Sequence, residues 1–175
     1  MYESRDSLSD PLGRSVHDDW EISQGSARFD WEGKDSTSLT VQGDVYGSSH
    51  IAERVFHVAS LLPALSGLEL DDQVVGGGNL LLRWGRKTSD KSGWSLQSYY
   101  NRTEREDIVL GDELNTYDLN FQHYFAAGDR HSIIWGLGMR HSDDNTQPTL
   151  TARFHPDSRS DDIFSGFIQD TIELV

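Results

Sequence analysis

Apolar and polar residues alternate along most of this chain with a period of two. This is the period of a β-strand whose two faces lie in different surroundings. In the clearest segment, residues 117–125, aromatic and aliphatic side chains occupy the odd-numbered positions, and only His123 interrupts them. About seven such segments occur, most of them close to the roughly 10 residues of a membrane-spanning strand. They lie near residues 20–31, 38–46, 79–84, 94–103, 117–125, 131–141 and 163–175.

The connections between these segments are alternately short and long. Short turns are expected at EGKD, TSDKSG and AAGDR, and long connections at Gly47–Gly76, Glu104–Glu113 and Ser142–Asp162. A barrel that crosses a membrane has short turns on one side and longer loops on the other. The pattern therefore predicts an all-β chain that forms an antiparallel up-and-down meander of about seven strands.

Aromatic residues gather near the ends of the predicted strands, as they do in the girdles of membrane barrels. They are Trp20, Trp31, Tyr46, Trp94, Tyr100, Tyr117 and Phe125. About seven strands are too few for a closed outer-membrane barrel, and an open sheet edge is not tolerated in lipid. We therefore expect residues 1–175 to be one partial domain within a larger transmembrane β-barrel.

A soluble, lipocalin-like β-barrel that binds a small ligand is the main alternative, because its strands also alternate. Such a barrel has no reason to sort its loops by length between its two ends. Its apolar residues would face a closed interior, whereas its outer faces would be polar. The two interpretations thus differ in where the side of the sheet that carries Leu119 and Phe121 points.

The overall charge argues against a nucleic-acid partner. The chain has 15 Lys and Arg against 29 Asp and Glu, a formal net charge of -14, which repels phosphates. It has no cysteine, which excludes disulfides and thiolate chemistry. A mean hydropathy of -0.58 does not exclude a membrane barrel, because only alternate residues of its strands face lipid.

No motif points to an enzyme, a cofactor or a metal. A GxSxG elbow is absent, and the seven histidines lack the close spacing of zinc ligands. The acidic pairs could supply oxygen ligands to calcium, but none has the spacing of a dedicated loop. The closely spaced glycines in GGGN and WGLGMR are interpreted as strand glycines. We therefore predict no catalytic residue, no cofactor and no metal.

Polar residues that alternate with the apolar ones along the predicted strands form the group of greatest functional interest. In a barrel these side chains would face the lumen, where they contact an internal plug or line a ligand route, or are simply hydrated. The lumen-facing candidates are Arg28, Asp30, Gln42, Asp44, Arg83, Gln97, Asp118, Gln122 and Arg140.

Several phrases resemble the mid-barrel region of TonB-dependent outer-membrane receptors. They include ARFDW, SLTVQGDVYG, GGNLLLRWGR, SLQSYYNRTER and NTYDLNFQHYFAAGDRHSIIWGLGMR, and the likeness extends from about Asp18 onward. It is strongest over Asn115–Arg140. These are strand and turn phrases, so they indicate a place in an architecture and not a particular ligand.

The resemblance implies a segment of a receptor in the outer membrane that takes up a ferric siderophore or a similar nutrient complex. Its partners would be outer-membrane lipid, the remaining barrel strands, an N-terminal plug domain, the nutrient ligand and, through the parent protein, the TonB complex. The sequence departs from the family in lacking the plug and the TonB-contacting motif. Transport is accordingly expected of the parent protein, with no chemistry in this segment.

Overall fold

The computed structural model describes residues 1–14, 18–58, 65–106, 110–149 and 153–174, except for the side chains of residues 51–58 and 65–72. These residues form eight β-strands and no helix. The strands are β1 Tyr2–Arg5, β2 Trp20–Glu32, β3 Thr37–Val58, β4 Leu65–Ser89, β5 Ser92–Glu106, β6 Gly111–Ala127, β7 His131–Gln147 and β8 Ser158–Ile172.

All eight strands belong to one sheet, and each pairs antiparallel with its neighbours in chain order. This arrangement confirms the predicted all-β up-and-down meander. The sheet has one strand more than the seven segments seen in the sequence, because the segment before Trp20 contains β1, which pairs with Trp20–Ser23 of β2. β1 lies at the edge of the sheet with its side chains exposed, so it shows no apolar alternation.

The three short turns lie where the sequence predicts them, over residues 33–36, 90–91 and 128–130. Two of these turns need a left-handed backbone, with φ of 59° at Ser36 and 72° at Gly128. Gly128 adopts this conformation without the steric cost that a Cβ would bring.

The predicted long connection over Gly47–Gly76 is wrong, because most of it is strand. β3 continues to Val58 and β4 begins at Leu65, in one unbroken register from Gly47↔Gly76 to Val58↔Leu65. Pairing between the two strands satisfies the backbone groups that a loop would leave to water. The other two long connections are also shorter than expected, since β5, β6, β7 and β8 all extend into them.

The register divides the side chains of the sheet between two faces. Residues directly opposite each other share a face, and one rung joins Trp31, Leu39, Trp84, Leu96, Phe121 and Leu137. We call this side the apolar face and the other side the polar face. Asp170 is on the apolar face with Ile168 and Ile172.

The sheet is a single layer without a hydrophobic core. Among the described residues no large apolar side chain is buried, and Leu119 is 43% and Leu137 60% exposed. Neither β1 nor β8 pairs with a further strand in the described part of the chain. Both faces and both edges are consequently open.

Candidate functional site

All nine candidate residues lie on the polar face. Several of them are direct cross-strand partners, with Arg28 opposite Gln42, Arg83 opposite Gln97 and Asp118 opposite Arg140. That this face borders a lumen stays a prediction.

The first group of contacts joins β2 to β3. The Nε and Nη2 atoms of Arg28 donate to the carboxylate of Asp30 over 2.7 and 3.0 Å, and Nη1 donates to Oε1 of Gln42 over 3.3 Å. The hydroxyl of Thr40 donates to the same carboxylate over 2.7 Å. These contacts form because Arg28 and Asp30 are two residues apart on one strand and therefore share a face.

The second group extends over β3, β4 and β5. Asn79 Nδ2 donates to Oδ1 of Asp44 over 2.6 Å. Arg83 donates from Nε and Nη2 to Oε1 of Gln97 over 3.0 and 2.7 Å. Asn79 was not among the candidates, although its parity places it on the same face.

The third group joins β6 to β7. Arg140 Nε donates to Oδ2 of Asp118 over 2.9 Å, and Asn120 donates to the other oxygen of the same carboxylate. The positive charge of Arg140 and the negative charge of Asp118 neutralise each other, so this group is polar but carries no net charge.

Two adjoining cavities of about 650 and 570 Å³ lie against the polar face of β4 to β8. Gln122 lines the larger one, together with Gly136 and Gly138, whose missing side chains leave room. A Cβ at Gly136 would come within 2.6 Å of the Phe167 ring. Residues from five adjacent strands, β4 to β8, border the larger cavity.

The apolar face carries aromatic pairs. Trp84 and Trp94 meet edge to face with ring centroids 5.0 Å apart, and Tyr100 and Tyr117 lie 4.9 Å apart. His123 interrupts the apolar pattern, but its Nδ1 accepts a hydrogen bond from Trp135 Nε1 over 3.1 Å. Aromatic neighbours thus accommodate this polar ring.

Beyond Tyr100 and Tyr117, toward the long connections, the apolar face becomes charged. Arg102 lies between Glu104 and Glu113, at 2.9 and 3.0 Å. Two rungs of β7 and β8 carry a similar group, in which His141 lies between Asp162 and Asp143.

Both ring nitrogens of His141 face a carboxylate, Nδ1 that of Asp162 and Nε2 that of Asp143. The Ser160 hydroxyl, more than His141, lowers the pKa of Asp143. Neither group was predictable from the sequence, because each includes a contact that depends on which strands pair.

Within the described residues, no three His, Asp or Glu side chains gather in a way that could hold a metal ion. Nor do these residues include a helix that is long and apolar enough to cross a membrane.

Comparison with known proteins gives little further information. The sequence matches no protein-family model and no curated protein. One solved structure with a similar strand arrangement is described as "Copper transporter OprC"; it is 16% identical, and the TM-score is 0.40. The match covers 99% of this chain and 37% of that chain, so this chain spans well under half of the length of that structure.

Proposed function

We propose that this chain is part of the wall of an outer-membrane β-barrel receptor of the TonB-dependent type. Its apolar face contacts lipid, its polar face lines the barrel interior, and it has no catalytic chemistry. The observation that carries the proposal is a single-layer sheet with two chemically different faces and no large apolar side chain buried among the described residues. A soluble sheet of this kind would expose a large apolar surface to water.

The height of the apolar face supports a membrane location. On β6 this face runs from Tyr117 to Ala127. A strand stretch of this length rises roughly 34 Å at about 3.4 Å per residue. A tilt of about 40° reduces the rise to roughly 26 Å, which is close to the ~25 Å apolar band of outer-membrane barrels.

The open edges support membership of a larger barrel. β8 is a 15-residue edge strand with exposed apolar residues such as Phe164 and Ile168. In lipid its unpaired backbone groups need a further strand, because no water is available to bond them. The rest of the parent barrel would supply that strand, and a plug domain would meet the polar face.

By resemblance, the parent receptor would import a ferric siderophore or a similar nutrient complex with energy from the TonB complex. The lipocalin-like alternative is not favoured, because it requires the side chains around Leu119 to be enclosed, and Leu119 is 43% exposed.

Alternating accessibility along β6 tests the proposal. The chain has no cysteine, so single cysteines can be placed at positions 118 to 122 of the whole protein in membrane vesicles. A polarity-sensitive thiol dye at Leu119 or Phe121 should report hydrocarbon, whereas at Asp118, Asn120 or Gln122 it should report water. This period of two follows from the side-chain alternation of the strand.

Asp129, in the short turn after β6, provides the control, because a dye there should report water in every case. If the dye reports equal polarity at all five β6 positions, or a dry environment only at Asp118, Asn120 and Gln122, the proposed orientation of the sheet is wrong.

A further inference from the structure

His141 lies between two carboxylates, and each of its ring nitrogens faces one of them. Nδ1 is 2.8 Å from Oδ1 of Asp162, directly opposite on β8, and Nε2 is 2.9 Å from Oδ2 of Asp143, two residues along β7. The Ser160 hydroxyl of β8 donates to the other oxygen of Asp143 over 2.5 Å. The group therefore links β7 and β8 at two rungs of the same face, His141↔Asp162 and Asp143↔Ser160.

This geometry requires a doubly protonated ring. An ionised carboxylate only accepts hydrogen bonds, so both ring nitrogens must donate, and only the imidazolium has two N–H groups. Loss of one proton would leave a nitrogen lone pair facing a carboxylate at hydrogen-bond distance. The contact would then change from attractive to repulsive.

Among the described residues of β6, β7 and β8, none places a second cation beside His141. From β6, the Tyr117 ring faces His141 with a centroid separation of 6.2 Å, and the next acidic residue on that face, Glu113, is bound to Arg102. From β8, Asp162 is the ionisable group that faces it. The nearest arginine of β7, Arg140, lies on the polar face and is bound to Asp118.

The position of the group gives it a structural role. Four rungs of the β7–β8 ladder follow His141↔Asp162, from Ser142↔Asp161 to Asn145↔Ser158, before the connection over residues 148–157. We propose that His141 is a pH-dependent pin, which holds this end of the β7–β8 pair closed when protonated and releases it when it loses a proton.

The pH window follows from the charges that the group needs. The pin is complete while His141 is protonated, and it is lost as pH rises through the pKa of that ring. The pKa of Asp143 is lowered below its usual 3.8, so its contribution is lost only when pH falls through that lower value. The pin is thus closed between these limits and open on the alkaline side.

A pair of nitroxide labels tests this pin in the whole protein in membrane vesicles. Asn145 and Ser158 oppose each other on the rung beyond the pin and take no part in it. Cysteines at both positions, each carrying a nitroxide, should show strong dipolar broadening while the rung is closed. The broadening should fall as pH rises through the titration midpoint of His141, measured separately by NMR.

Three variants separate the pin from general effects of pH. H141K keeps a cation at every pH in the histidine range, so broadening should persist there, whereas H141Q should lose it throughout. D162N should lower the His141 midpoint. H131Q is the matched control, because His131 meets one carboxylate, Asp170 at 2.6 Å, at the opposite end of the sheet, and it should leave the labelled rung unchanged.

Broadening that depends on pH equally in the native protein and in H141K overturns the pin, and so does broadening that does not depend on pH in the native protein. If the lysine variant fails to fold, the comparison of the native protein with H141Q decides, since equal broadening in the two at a pH below the His141 midpoint overturns the pin. The cysteine scan of β6 is independent of these results, so failure of the pin and failure of the proposed membrane wall are distinguishable.

Discussion

Replacing Phe121 with arginine is expected to reduce the free energy of unfolding in a lipid bilayer by ~2 to 4 kcal/mol. Phe121 lies on the apolar face between Leu96 and Leu137, and its ring centroid is 5.4 Å from that of Trp135. An arginine there would place its guanidinium in hydrocarbon near the middle of the apolar band. Reversible urea unfolding of the whole protein in vesicles measures the change.

The adjacent residue on the same strand provides a matched control. Gln122→Arg introduces the same side chain on the polar face, beside a cavity of about 650 Å³, and should cost much less. Leu119→Arg, on the apolar face, should resemble Phe121→Arg. Equal losses for Phe121→Arg and Gln122→Arg would show that the two faces do not differ in their surroundings.

The division of residues between the two faces was predictable from the sequence, because successive side chains of a strand point to opposite faces. All nine candidates on the polar face were identified in this way, whereas the alignment of Trp31 to Leu137 in one rung depends on strand register and was not predictable. Asp170 interrupts the apolar side of β8, but the structure places His131 beside it. The pair of His131 and Asp170 explains this polar residue on the apolar side. The alternation of residues along β8 could not identify His131 as the partner.

The ends of strands and their partners depend on distant parts of the chain, so the sequence could not locate them. Ser48 and Ser49 lie in the predicted connection Gly47–Gly76, yet they continue β3 because β4 pairs with them. The contact between Asp44 and Asn79 joins residues that are 35 positions apart. His141 likewise meets Asp162 only because β7 and β8 are in that particular register.

The second large effect is expected at a glycine where strand geometry leaves no room for a side chain. A Cβ at Gly77 of β4 would lie 2.5 Å from the backbone carbonyl oxygen of Arg102 and 2.7 Å from the Tyr46 hydroxyl oxygen. The carbonyl belongs to β5 and moves only if the strand moves. We expect Gly77→Ala to cost about 1 to 3 kcal/mol, the range for overpacking, in the same urea unfolding experiment.

Gly25 of β2 is the matched control, since a Cβ there would meet nothing within 4 Å. Gly25→Ala should be neutral or stabilising by up to about 1 kcal/mol, because alanine has less conformational freedom to lose than glycine. Tyr46→Phe removes the hydroxyl oxygen from the Gly77 site but leaves the carbonyl, so most of the cost of Gly77→Ala should persist in that background. Equal stabilities of the two alanine variants would mean that β4 and β5 are farther apart at Gly77 than this register allows.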